Sequence, residues 1–207
     1  MNLKKIHYLS GITISIFVGL HIFNHLYSLL GANAHIELMN SLRVVYRNII
    51  AEILLLLAVA IQIVSGIKLF FKKRKTASGF FDKLQIWSGF YLAFFFLFHI
   101  SAIFFGRLIL NLDTNFYFGV AGLNSFPLNL FFIPYYGLAI ISFFGHISAV
   151  HSKRMKRNLF GIRPVKQSYL ILSIGILLTL GILYGLTNGF KGVELPKEYQ
   201  IMVGTGH

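Results

Sequence analysis

The chain has 207 residues, 56% of them hydrophobic and 16% aromatic, and its mean hydropathy of +0.72 excludes a water-soluble globular domain. Lys and Arg number 19 against 6 Asp and Glu, a formal charge of +13, but no basic, water-facing stretch is long enough for a nucleic-acid-binding domain, so the charge reads as membrane topology. Cysteine is absent, which excludes disulfides, thiolate zinc sites, iron–sulfur clusters held by this chain and thioether-linked cofactors, and leaves histidine as the strong metal ligand present in number.

Lys4 and Lys5 precede an apolar run of about twenty residues with no small-residue cleavage site, which predicts a retained membrane helix near 8–30 rather than a signal peptide. Four more runs long enough to cross a bilayer core of about 30 Å follow near 49–71, 84–106, 130–150 and 169–186. The segment from Asp113 to Pro127 is aromatic but broken by Asn, Gly and Pro, and is expected to be a loop with a short interfacial helix. The predicted fold is therefore all-α: one integral membrane bundle of five transmembrane helices over residues 1–207.

Three basic clusters mark one side of that bundle: Lys4 and Lys5; Lys72, Lys73, Arg74, Lys75 and Lys83; and Lys153, Arg154, Lys156, Arg157, Arg163 and Lys166. The other side holds Arg43, Arg47, Arg107, Lys191 and Lys197. Lys and Arg near helix ends stay on the cytoplasmic side, so the N-terminus is expected inside and the C-terminus outside a multi-pass protein of the inner (cytoplasmic) membrane.

The first and third helices share a pattern. Lys5-Ile6-His7 matches Lys83-Leu84-Gln85, Ser10-Gly11 matches Ser88-Gly89, Phe17 matches Phe95, and His21-Ile22 matches His99-Ile100, all at one offset, 99 − 21 = 78. Two crossings separate these helices, so they run parallel and equal distance from Ser-Gly means equal depth. Eleven residues at about 100° each make three turns plus roughly 20°, so Ser10 shares a face with His21, and Ser88 with His99. His7 and His25 fall near the same stripe of the first helix. Polar side chains on one face of a membrane helix point into the bundle, because exposure to lipid costs several kcal/mol.

Two neutral histidines from different helices, opposed in a closed apolar bundle, suit a bis-imidazole site for haem iron. Zinc wants three or four ligands, and no third residue matches this depth; interhelical hydrogen bonding is the alternative use of the pair. His25, one turn beyond His21, either replaces it as ligand or hydrogen-bonds near the outer interface. The second and fourth helices offer a less complete pair, Gln62 and His146. Glutamine is a poor haem ligand, so His146 is expected to bind a five-coordinate haem, accept a hydrogen bond from Gln62, or serve a propionate or quinone. His151 reads as an interface residue.

Taken together, these residues resemble the membrane anchor of succinate dehydrogenase and quinol:fumarate reductase in its single-chain, five-helix cytochrome b form. The resemblance covers about Lys5 to Arg154 and rests on His7-x-x-Ser10-Gly11 followed by His21 and Asn24-His25, Glu52 ten residues before Gln62, Lys83-Leu84-Gln85-x-x-Ser88-Gly89 followed by His99, and His146 late in the fourth helix. It implies a haem b between His21 and His99 on the side away from the cytoplasm. A second haem, nearer the cytoplasm, would be held by the second and fourth helices, where Gln62 stands in place of a histidine. It further implies iron–sulfur and flavoprotein partner subunits on the cytoplasmic side and quinone in the membrane as substrate, with no dicarboxylate site in this chain.

Glu52, at the outer end of the second helix, is the candidate catalytic residue, accepting or passing a quinol proton; the plainer reading pairs it with Arg43 or Arg47. Tyr8, Trp87, Tyr135 and Tyr136 sit near helix ends as expected of aromatic belts. Gly181 and Gly185 are spaced for close helix packing. The same residues also fit a stand-alone membrane b-type cytochrome, or a haem-free membrane protein whose histidines stabilise helices or carry protons.

Overall fold

The structure, a computed structural model, describes residues 2–204. Seven α-helices account for most of the chain: α1 Leu3–Leu26, α2 Ala32–Tyr46, α3 Ile49–Lys73, α4 Phe80–Leu108, α5 Phe116–Val120, α6 Asn129–Arg154 and α7 Pro164–Leu186. Five of the helical segments, Leu3–Leu30 (α1 with the 3₁₀ turn that continues it), α3, α4, α6 and α7, are long and apolar enough to cross a membrane. Each overruns its sequence-predicted core at the basic end, by two residues in α3 and four or five in the others, where Lys and Arg stems extend the helix past the apolar window.

Local chemistry sets the ends. Asn2 caps α1 by accepting from the Lys4 amide, Asn48 caps α3 by accepting from Ile50, and Pro164 opens α7 in the first turn, where its missing N–H costs nothing. Gly31, at φ 103°, turns the chain out of the first span. The element that follows is one for which the sequence reading names nothing: α2 is a 15-residue helix lying outside the five spans. It buries His35 and Met39, four residues apart on one face. The short α5 falls inside the aromatic loop where an interfacial helix is expected.

The spanning helices pack in a ring. α1 lies against α3, α3 against α4, α4 against α6, α6 against α7, and α7 returns to α1 and its terminal 3₁₀ turn. α1 and α4 therefore face each other across the interior, as do α1 and α6. Outward positions are apolar and exposed, among them Ile16, Leu20, Leu54, Leu57, Leu97 and Leu177, as lipid contact requires. The end opposite the basic clusters is filled by α5 and the turn after it. Phe116, Val120 and Leu123 are at most 3% exposed and pack with Ile22, Phe143, Ile182 and Leu186. The segment near the C-terminus is laced over this end, with Tyr199 donating to the Asp113 carbonyl at 3.0 Å and the Val193 amide donating to Asn124 at 3.1 Å.

Candidate functional site

The Ser-Gly repeat is a pair of notches. Ser10 returns its hydroxyl to the Ile6 carbonyl one turn back, at 2.9 Å, so that it costs nothing in an apolar setting. The space over Gly11 then receives Gln62 of α3, whose amide donates to the His7 carbonyl and to Ser10 Oγ at 3.0 Å. A Cβ on Gly11 would stand 2.9 Å from that amide nitrogen. On α4, Ser88 likewise donates to the Leu84 carbonyl, and the space over Gly89 receives His146 of α6: a Cβ there would stand 2.9 Å from His146 Cε1. Each notch thus holds a polar side chain of the neighbouring helix.

Gln62 and His146 line one cavity of about 50 Å³ together with His7, Gly89, Leu92, Ala93 and Phe96. His7 is the member that comparison of the second and fourth helices does not reveal. Its ring centre lies 6.4 Å from that of His146, with the ring planes at 69°. His7 Nδ1 is 2.8 Å from Ser65 Oγ. His146 Nδ1 is 3.1 Å from the Gln85 carbonyl and 3.3 Å from Ser88 Oγ.

Nearer the opposite end, His21 of α1 and His99 of α4 face each other with ring centres 6.3 Å apart and planes at 62°. Each is steadied by the phenylalanine one turn before it. Phe17 stacks on His21 at 5.8 Å and 13°, and Phe95 on His99 at 4.9 Å and 15°. Tyr136 of α6 meets His99 edge-on at 6.2 Å.

His25 does not sit opposite His99. Its Nε2 lies 3.1 Å from His21 Nε2, and its Nδ1 lies 3.3 Å from His35 Nε2. His35 Nε2 also meets the Asn24 amide at 3.2 Å, and both His35 Nδ1 and Asn24 Oδ1 are buried without a hydrogen-bond partner among the described residues. His35 is 3% exposed. Burial, reinforced by the charges of His21 and Arg43, lowers its pKa from 6.5 to about 4. Sequence spacing did not select His35 because it comes from α2; the signal available was its place with Met39 on one stripe of a short amphipathic segment.

Glu52 lies apart from the histidines, at the end of the bundle opposite the basic clusters. Its carboxylate accepts from Arg107 of α4 at 2.6 Å, and not from the two arginines that sequence proximity suggests. Arg43 and Arg47 instead reach Asp113, at 2.9 and 3.7 Å. His151, in the last turn of α6 at the basic end, is half-buried and meets Gln167 at 2.8 Å.

Among the described residues no group of three or more His, Asp or Glu side chains is disposed to hold a metal ion. A metal–imidazole bond is about 2 Å, and a ring centre lies about 1 Å behind its nitrogen, so two imidazoles trans on one ion have centres roughly 6 Å apart. The His21–His99 separation fits that value. No family model matches the chain, and no curated protein or solved structure matches it.

Proposed function

We propose that this chain is a haem b-binding membrane anchor that passes electrons between iron–sulfur and flavoprotein subunits on its basic, cytoplasmic side and quinone within the inner membrane. The observation that carries the reading is the His21–His99 pair: two imidazoles on parallel helices that face each other across the ring with centres 6.3 Å apart, the donor pair that a b-type haem would take. When bound, haem supplies a one-electron iron couple.

The chain's own residues supply the rest. His21 and His99 would hold the haem iron, and the stacked Phe17 and Phe95 fix their ring orientation. His25, which meets both His21 and His35, would steady the cluster beside that ligand. The apolar shell of α3 and α6 keeps water from the site. Glu52 accepts a quinol proton at its carboxylate, and Arg107, 2.6 Å away, orients that carboxylate. The basic clusters present a surface complementary to soluble subunits, and they serve equally to hold the chain against anionic lipid.

The test begins with the chain purified in detergent and a reduced-minus-oxidised spectrum. A b-type α band, lost in His99→Ala and retained in Gln62→Ala, is the expected result. A flat spectrum from folded protein removes the haem reading and leaves structural or proton-carrying histidines. Co-purification of a flavoprotein from the native membrane supports the anchor role, and a haem-loaded chain isolated without any partner points to a stand-alone cytochrome.

A further inference from the structure

We propose that the cavity between His7 of α1 and His146 of α6 holds one buried water, hydrogen-bonded to Nε2 of both rings, and that this water joins the two imidazoles into a unit that takes up a single proton. The proposal is independent of the haem reading. At about 50 Å³, with Gln62, Leu92 and Phe96 among its walls, the space does not admit a porphyrin. Of the roles expected for His146, haem ligation is therefore the one that its surroundings do not fit.

Three observations carry the proposal. The first is distance. The ring centres of His7 and His146 are 6.4 Å apart. A ring nitrogen lies about 1.1 Å from its ring centre, so nitrogens of the two rings come no closer than about 4.2 Å, beyond any direct hydrogen bond. His25, by contrast, meets His21 and His35 nitrogen to nitrogen at 3.1 and 3.3 Å. A water donating to both rings sets each centre about 3.9 Å from its oxygen, and two O–H bonds at about 105° then put the centres about 6.2 Å apart. The observed spacing is that of a bridged pair.

The second observation is the tautomer. Ser65 Oγ lies 2.5 Å from the Ile61 carbonyl, too close for two oxygens without a proton between them, so Ser65 accepts from His7 Nδ1 at 2.8 Å. His146 Nδ1 lies 3.1 Å from the Gln85 carbonyl, which has no proton to give. Both rings therefore carry their hydrogen on Nδ1 and a bare lone pair on Nε2. The amide nitrogen of Gln62 is committed to the His7 carbonyl and to Ser10, and the other walls, Gly89, Leu92, Ala93 and Phe96, are apolar. Two lone pairs face a space without a donor, and a water supplies two O–H groups. The volume exceeds the roughly 30 Å³ that a water occupies in the liquid, and two polar partners meet its minimum.

The third is charge. Lys4 of α1, Lys73 of α3 and Lys153 of α6 gather at this end of the bundle, with Lys153 on Asp82 of α4 at 2.6 Å. The side chains that α3 and α4 bring to the rings, Gln62, Ser65 and Ser88, are neutral. Among the described residues no carboxylate touches either ring, so one imidazolium there deters a second. A hydronium reaching the cavity gives a proton to one Nε2: an O–H bond breaks, an N–H bond forms, and the water left behind donates to the other ring. Because both Nδ1–H groups are held by α3 and α4, the proton is shared across the water and leaves by the same nitrogens.

The test is nitrogen-15 solid-state NMR of the full chain, labelled at histidine and reconstituted in lipid bilayers, with polarisation transferred from water. Expected are Nδ1–H tautomers at His7 and His146, transfer from water to both Nε2 nitrogens, and uptake of one proton by the pair on acidification. Ala93→Val fills the cavity from α4 and should lose most of the transfer. Phe96→Leu enlarges the same space and should keep it, which provides an arm free of overpacking.

An Nε2–H tautomer at either ring, Nε2 nitrogens that receive nothing from water in folded wild type, or independent uptake of two protons overturns the proposal. Haem content separates it from the first reading. A haem lost in both His7→Ala and His146→Ala assigns the pair to iron and overturns it; haem kept in both and lost in His99→Ala supports it.

Discussion

Gly185 is where α7 closes the ring against the turn that ends the first span. A Cβ added there would stand 2.3 Å from Ser28 Oγ, 2.8 Å from the Leu29 nitrogen and 2.9 Å from the Ser28 carbonyl carbon. Carbon contacts are comfortable at about 3.5–4 Å, so Gly185→Ala forces roughly 1 Å of movement in a backbone rather than in a side-chain tip. Overpacking of this kind costs about 1–3 kcal/mol, and a backbone obstacle places it near the upper end. The better helix propensity of alanine returns at most about 1 kcal/mol. The net loss is about 2 kcal/mol, or roughly thirtyfold in the unfolding equilibrium. Gly181, four residues earlier, has nothing within 4 Å of its would-be Cβ, so Gly181→Ala should be neutral or slightly stabilising. Reversible unfolding of the two variants in mixed micelles, followed by circular dichroism, measures the difference. Equal stability within about 0.5 kcal/mol would refute the close approach. Because Ser28 donates to the His25 carbonyl at 2.6 Å, the Gly185 variant should also disturb the histidine cluster, which Gly181→Ala leaves alone.

Two further outcomes follow from the site. His35 is buried beside His25, His21 and Arg43, with its pKa lowered from 6.5 to about 4. The unfolded chain then takes up a proton that the folded one refuses, so stability present above pH 6.5 falls as the pH drops from 6.5 towards 4. Unfolding measured across that window should show this slope in wild type and a shallower one in His35→Gln; identical slopes would contradict the burial argument. Glu52→Gln removes a half-exposed ion pair with Arg107, so it should cost no more than about 1 kcal/mol in stability. The same change should slow haem reduction by a quinol analogue at least tenfold, and an unchanged rate would make Glu52 structural.

The five spans were legible because twenty apolar residues in a row have few other uses, and the Ser10–His21 and Ser88–His99 spacing was legible because parallel helices convert sequence distance into depth. That conversion also set the limit. It sets Gln62 against His146 and has no means of setting His7 against His146 across antiparallel helices, although His7 lies near the stripe that carries Ser10 and His21. α2 escaped because it is too polar to be a span and too short for periodicity to stand out. With it went His35, and the link from His21 through His25 to the outer cap. The partner of Glu52 escaped for a third reason: Arg43 and Arg47 are near in sequence, but Arg107 closes the gap between adjacent helices, and only packing order reveals which arginine is within reach.

The cap formed by Phe116, Val120 and Leu123 has a consequence for what lies below it. With those side chains wedged between the helices, the end of the bundle nearer His21 and His99 is stoppered by apolar groups at most 3% exposed, so the pair lies beneath a packed hydrocarbon plug.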